Sequence, residues 1–418
     1  MPNLLFLGSN SAGIRAFATA RRLGHRSTLV VPLLPGSDPF MLGGGWSVEE
    51  LRRLPDGPDE VVEAPGLDDD LYQLAADLHA RTPFDAVLTT ADEAAEYANE
   101  AALRLGLPAN DRTAMHTACF KHLCRARLDE AGLPNARTAV ARTRSAVPQV
   151  AAGIGFPCVV KPARSSGKEG VAILAGPSDA LGYAGGSDGP AGPWLIEEYL
   201  NGELYSAEVL CLDGTAHLLG VTHRRRDALN PLLEAAAVFP AELDADQHAA
   251  VRLFVTELFG ALRLSVGVFH VEYIHTARGP ILVEVNARMM GGSAPLSFLR
   301  VTGTDPYELL IDALLSPASV RLPDVATGGS VAFVLGARRA GSAPADAEQG
   351  LARLAGRFDF LHQRHSIRNG EPIRGMVSNV TAVGGYCNYA ESSAAAFAAY
   401  LEFTRGAEQV LGMPLVSP

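Results

Sequence analysis

Apolar and polar positions along this 418-residue chain alternate between strand-like and helix-like spacing. Residues 4–7 form an apolar run. The small-residue turn Gly8-Ser9-Asn10-Ser11-Ala12-Gly13 follows, then a helical pattern to Ala20 and a second apolar run at 27–32. That β-turn-α-β opening predicts an α/β layer. Residues 85–90 add a strand, and 94–105 an amphipathic helix ending at Gly106, so 1–112 reads as a small α/β domain. One helix is predicted over 113–131, stopped by Gly132-Leu133-Pro134. A short buried strand ends at Lys161, a loop spans 165–170, and another strand covers 171–174; 176–193 reads as an irregular connection. Residues 194–212 read as strand, break at Asn201-Gly202, strand. A helix over 245–261 leads into two apolar strands within 264–292, joined by a tight turn at 276–280. Residues 305–315 are helical. Beyond 319, glycine-separated strands (328–338 and 375–390) and an alanine-rich helix (391–408) predict a small α+β part.

Composition narrows the class. An apolar fraction of 48% is that of an ordinary globular protein. The longest apolar runs fall far short of a membrane span. The N-terminus lacks the basic and long apolar regions of a secretory signal. Five scattered cysteines without metal-type spacing read as reduced thiols, so a cytoplasmic protein is expected. A formal charge of −11 argues against a general nucleic-acid role. Of 35 cationic residues only Lys121, Lys161 and Lys168 are lysine, a compact charge suited to phosphate oxygens.

The hairpin at 264–292 carries the densest candidate chemistry. On the second strand Glu284, Asn286 and Arg288 are two apart and should share a face. Folding about Arg278 sets Glu272 opposite Glu284, with Cβ atoms about 5 Å apart. The alternative, a solvent-facing polar stripe, fits poorly with the apolar flanks. Two such carboxylates with an amide oxygen suit Mg²⁺ and leave positions for phosphate oxygens and water. Upstream, Lys121 and Arg125 lie four apart on one helix face. The loop Ser165-Ser166-Gly167-Lys168-Glu169-Gly170 could cradle phosphates through backbone N–H groups, although it is not a Walker A loop. Near the break at 201–202, Glu197, Glu198, Glu203 and Glu208 read as ring and ribose partners or as surface carboxylates. His223-Arg224-Arg225-Arg226 reads as an anion contact or a solvated loop; His270 and His223 read as packed or solvated.

In this order the pieces resemble the ATP-grasp superfamily, and more closely its carboxylate–amine ligases of the L-amino-acid-ligase type. The carrying features are Lys121 in FKHLCRARLDEAGLP, Lys161 in FPCVVKP, the 165–170 loop, LIEEYLNGE, the Glu272/Glu284 pair and VEVNARMMGG, together covering about 113–316. The resemblance implies a mixed α/β and α+β ATP-grasp fold: an N-terminal Rossmann-like domain (1–112), the ATP-grasp domain (113–318, lid subdomain about 135–205) and a C-terminal α+β domain (319–418). It implies that Lys121 and Lys161 contact ATP phosphates under a lid formed by Ser165, Ser166, Gly167, Lys168 and Gly170. Glu197, Glu198, Tyr199 and Leu200 would hold adenine, and Glu203 the ribose. Glu272, Glu284 and Asn286 would ligate Mg²⁺, or Mn²⁺ in its place. Arg288, about 13 Å along an extended strand from Glu284, would take the substrate carboxylate or acyl phosphate, with Lys161 and Lys168 assisting catalysis. The implied reaction joins a small carboxylate to an amine, both small molecules, with no nucleic acid or membrane partner and a homodimer expected. Other ATP-grasp enzymes, of purine-pathway ligase or carboxylase type, and a non-catalytic ATP-binding protein are the competing readings. Phe120 stands where the family often has Asp, and Met289-Met290 follow the N-x-R motif where biotin carboxylases have a different run.

Overall fold

The computed structural model describes residues 1–32, 46–66, 69–163, 170–186, 192–324 and 326–418. These form three larger sheets and a short ribbon. The first sheet is parallel, in the order β3-β2-β1-β4, from β1 (Asn3–Leu7), β2 (Arg26–Pro32), β3 (Glu60–Ala64) and β4 (Ala86–Leu88). Its inner strands β1 and β2 and the short β4 bury apolar residues on both faces, and the edge strand β3 carries the exposed Glu60 and Glu63.

A second, antiparallel sheet has the order β5-β8-β6-β7, from β5 (Thr138–Ala141), β6 (Cys158–Pro162), β7 (Ala172–Leu174) and β8 (Trp194–Glu198). The connection read as irregular holds a helix, Pro177–Gly185. Pro177 fits its first turn, Asp179 accepts from the backbone N–H of Ala175 at 2.8 Å, and Ala180 is buried; the neighbouring glycines concealed this helix start.

The third sheet is central and antiparallel. It comprises β9 (Glu203–Leu212), β10 (Thr215–Arg226), β11 (Glu234–Phe239), β12 (Gly267–Thr276), β13 (Gly279–Asn286) and β14 (Gly329–Leu335). Past the two-residue ribbon strands β15 (Gly341–Ser342) and β17 (Pro372–Ile373), β16 (Phe360–His365) and β18 (Gly384–Ala390) complete it. The order is β13-β12-β9-β10-β11-β14-β18-β16, so strands from the last hundred residues continue the sheet that holds the glutamate hairpin. The 375–383 stretch, expected as strand, contains a 3₁₀ turn instead, held by Thr381 and Ser378.

One core knits the first sheet to the hairpin's exit. Phe6 and Phe17 share it with Met289, Met290, Phe298 and Tyr307. The Tyr307 hydroxyl donates to the carbonyl of Ala12 at 2.6 Å, and Arg22 pairs with Asp305 and Glu308 at 2.9 and 2.8 Å. Among the described residues no helix is long and apolar enough to cross a membrane.

Candidate active site

The expected register of the hairpin is present: Glu272 faces Glu284 across β12 and β13, beside a bulge between Glu272 and Tyr273. Their carboxylates line a cleft of about 150 Å³ between the central sheet and the β5–β8 sheet. Ile274 and Leu282 form the apolar floor, Val159 and Ile173 the opposite wall, and Tyr199 and Leu200 the strand edge. Lys121 and Lys161 enter at the glutamate end. A flat apolar slot therefore opens directly onto paired carboxylates and two ammonium groups.

Lys121 does not lie within one long helix. The chain breaks at Phe120, whose φ of −110° and ψ of 108° are extended, and Lys121 begins a second helix, Lys121–Glu130. The backbone N–H of Lys121 bonds to the carbonyl of Ala163, which explains the break. Lys121 Nζ sits 2.9 Å from Glu284 Oε2. Burial works against the charge on this lysine, but Glu284 outweighs it and raises its pKa. Burial likewise opposes ionisation of Glu284, and Glu272 adds repulsion, yet Lys121 holds its pKa below the ordinary value.

Lys161, at the end of β6, reaches Glu197 Oε2 at 2.5 Å; Arg125 Nε reaches Glu197 Oε1 at 2.6 Å. Both cations also donate to the carbonyl of Val283, at 3.3 and 3.0 Å. All three side chains are buried. Burial opposes ionisation of Glu197, but Arg125 and Lys161 together hold its pKa down to about 2. Burial pushes Lys161 below its ordinary value. Glu197, expected to help hold a ring, lines the cleft and uses its carboxylate to fix Lys161. Glu198 lines the cleft but pairs with Arg137 and Arg278. Glu203, expected at the ribose, stands at the start of β9. Alternation along β9 sends Leu204 into the cleft and Tyr205 and Ala207 into the core beneath the Ala245–Leu262 helix. Glu203 is 60% exposed and pairs with His223 Nε2 at 3.2 Å.

Asn286 closes β13, and its amide nitrogen contacts Glu284 Oε1 at 3.4 Å. The strand stops there, so the alternation expected to carry Arg288 onto the same face does not extend to it. Arg288 instead reaches Asp92 on the N-terminal layer at 2.6 Å and the carbonyl of Met289 at 2.7 Å, while its Nε–H is buried without a partner. Of the expected lid loop, Ser165, Ser166, Gly167, Lys168 and Glu169 lie outside the described residues; Gly170 is described, with φ +70°.

The three arginines of 224–226 form no loop but end β10. Arg225 stacks on Phe397 and Arg226 lines the cleft. Arg224 is buried between Glu234 Oε2 at 2.5 Å and Glu272 Oε1 at 3.1 Å. Its Nη1 also meets His270 Nε2, while His270 Nδ1 faces Glu208 at 2.8 Å. Burial opposes a charge on His270, but Glu208 raises its pKa; acceptance from Arg224 at Nε2 requires the neutral Nδ1–H form. This network escaped the sequence reading, although the alternation of β9 and β10 could have placed Glu208 and Arg224 on the cleft face. Asp92 could also have been found, since it follows the C-terminal end of a parallel strand, where open α/β layers bind ligands.

Among the described residues no three His, Cys, Asp or Glu side chains converge as a metal cluster. Glu272, Glu284 and Asn286 nevertheless suit Mg²⁺: they are hard oxygen donors on facing positions, and phosphate oxygens and water would complete the shell.

The layers, the cleft between two antiparallel sheets and the paired glutamates define an ATP-grasp fold. Residues 188–295 match the family model of the ATP-grasp domain. The structure resembles an L-amino acid ligase from Bacillus licheniformis with a TM-score of 0.77 at 19% identity, covering 100% of this chain and 99% of that one; the likeness establishes the fold. Dapdiamide A synthase of Enterobacter agglomerans is 27% identical over 173 residues, 39% of this chain and 40% of that protein. An uncharacterized protein of Sinorhizobium fredii is 30% identical over 198 residues, 45% of this chain and 40% of its own length. The chain thus spans about two fifths of those curated relatives.

Proposed function

We propose that this protein is an ATP-dependent carboxylate–amine ligase that joins a small acid, an amino acid, to an amine and releases ADP and phosphate. The observation that carries the reading is the cleft itself: an apolar slot for a purine opening onto Lys121, Lys161 and the facing carboxylates of Glu272 and Glu284. Tyr199 and Leu200 would present the strand edge to adenine, and Leu204, Ile274 and Leu282 the apolar faces. Lys161, fixed by Glu197, would meet the polyphosphate without having to be ordered at binding. Bound Mg²⁺, or Mn²⁺, held by Glu272, Glu284 and Asn286, would spread the charge of the transferring phosphoryl group. The acid carboxylate would take the γ-phosphoryl, releasing ADP. The amine would then attack the acyl carbon, lose a proton and expel phosphate. Arg288, with its unpartnered Nε–H, would bind the carboxylate and then the acyl phosphate.

The same reading divides the chain at 112 and 318, expects a homodimer, and places the protein in the cytoplasm, which suits five free thiols. Phosphate release from ATP and Mg²⁺, with amino acids, other acids and amines offered singly and in pairs, tests it. Release requiring one acid and one amine is the expected result; release with bicarbonate or with one acid alone would move the protein to another branch of the fold. Glu284→Ala should lower turnover roughly a hundredfold or more, and undiminished turnover would remove the metal assignment.

A further inference from the structure

Each of the two facing carboxylates already holds an internal cation. Lys121 Nζ lies 2.9 Å from Glu284, and Arg224 Nη2 lies 3.1 Å from Glu272. Glu272 is buried and the other three side chains are partly so, and the four carry no net charge between them. Arg224 is anchored independently by Glu234, so it keeps a partner when it releases Glu272. Lys121 stands at the start of its helix, beside the cleft.

We propose that Arg224 and Lys121 are placeholder cations that keep the metal site closed to a free divalent ion and open it only to the ion together with a polyphosphate. The inference rests on the ATP-dependent reading above. A bare M²⁺ at Glu272 would share an oxygen already facing a guanidinium, and in a buried site that repulsion is weakly screened. A polyphosphate reverses the balance, because its oxygens accept the displaced ammonium and guanidinium groups as the ion takes the carboxylates. The two protein carboxylates and one amide also leave an ion short of ligands until phosphate oxygens arrive. Metal and nucleotide are therefore coupled, and each tightens the other by the same factor.

Mn²⁺ binding to the full chain, read by electron paramagnetic resonance with and without a non-hydrolysable ATP analogue, tests this. The intact protein should bind Mn²⁺ alone at least about tenfold more weakly than with the analogue. Arg224→Gln should tighten nucleotide-free Mn²⁺ binding by about tenfold and shrink the gain from the analogue. Adding Glu272→Gln should abolish that tightening. Where Arg224→Gln fails to fold, the charge-balanced pair Arg224→Gln with Glu234→Gln serves in its place. Unchanged nucleotide-free Mn²⁺ affinity in these variants would overturn the assignment. Binding of the analogue in the presence of Mg²⁺ is scored separately: its absence from the intact protein would overturn the ATP reading, while the nucleotide-free comparison would still decide the placeholder role.

Discussion

Glu197 shows how much a single side chain can decide. It joins β8 to β6 and to the Lys121–Glu130 helix by clamping Lys161 and Arg125 in a buried triad. Glu197→Gln leaves two cations facing a neutral amide, and breaking a buried pair in this way costs about 3–5 kcal/mol. Thermal unfolding should show that loss, and ATP affinity should fall because Lys161 loses its fixed position. A variant as stable and as tight-binding as the parent would mean that the triad is not what holds Lys161. The same carboxyl makes stability depend on pH. Its folded pKa of about 2 lies below the ordinary 4.5, so its contribution is full above about pH 4.5 and is lost as pH falls toward 2. Glu197→Gln should flatten that part of the acid-unfolding profile. The sequence marks Glu197 as a site residue because it ends an apolar strand, but its partners come from residues 36 and 72 positions away, and no local pattern encodes such a pairing.

At the scale of elements, the hairpin β12–β13 was the most legible part of the fold. Apolar alternation, a two-residue turn and facing glutamates all specify one register, and a slip by one residue would bury the wrong faces. Break points were harder to read. The interruption at Phe120 depends on a bond from Lys121 to the distant Ala163, and the Pro177–Gly185 helix on Pro177 in its first turn and Asp179 reaching back to Ala175. The direction of Glu203 was open for a similar reason. Strand parity follows from where a strand starts, and the break at Asn201-Gly202 leaves that start open until β9 pairs with β12. That break is held by close approach: a Cβ on Gly202 would come within 2.1 Å of the backbone oxygen of His275. Backbone cannot yield as a flexible side chain would. Gly202→Ala should therefore push the β8–β9 junction off β12, destabilise by about 1–3 kcal/mol and weaken nucleotide binding at Tyr199 and Leu200. Calorimetric titration with an ATP analogue, beside a melting curve, measures both; an unchanged affinity would show that the junction does not set the slot.

Across the whole molecule, the central sheet carries the site's geometry into the last hundred residues. β14 pairs directly with β11, whose Glu234 anchors Arg224. The connection from β10 to β11 supplies Pro231 and Leu232 to the cleft wall and is folded around Asp227. Asp227 accepts from the backbone N–H groups of Leu229 and Asn230 at 3.0 and 2.9 Å. The same carboxylate pairs with Arg338 at 2.6 Å and accepts from the N–H of Ser417 at 2.9 Å. Arg338 also donates to the carbonyl of Leu415 at 2.7 Å. A cleft wall, the segment after β14 and the last residues of the chain thus meet on one carboxylate whose side chain is 2% exposed. Arg338 lies outside the cleft lining, so truncating it removes no direct nucleotide contact. It does leave Asp227 buried without its cation, at a cost of about 3–5 kcal/mol, part of which relaxation of the 227–233 connection would recover. Arg338→Ala should therefore lower the unfolding temperature and raise KM for ATP several-fold, with kcat much less affected, because the wall loosens while the lysines and glutamates stay in place. A fall in kcat with KM unchanged would show instead that the C-terminal strands act on the chemistry through Glu234 and Arg224.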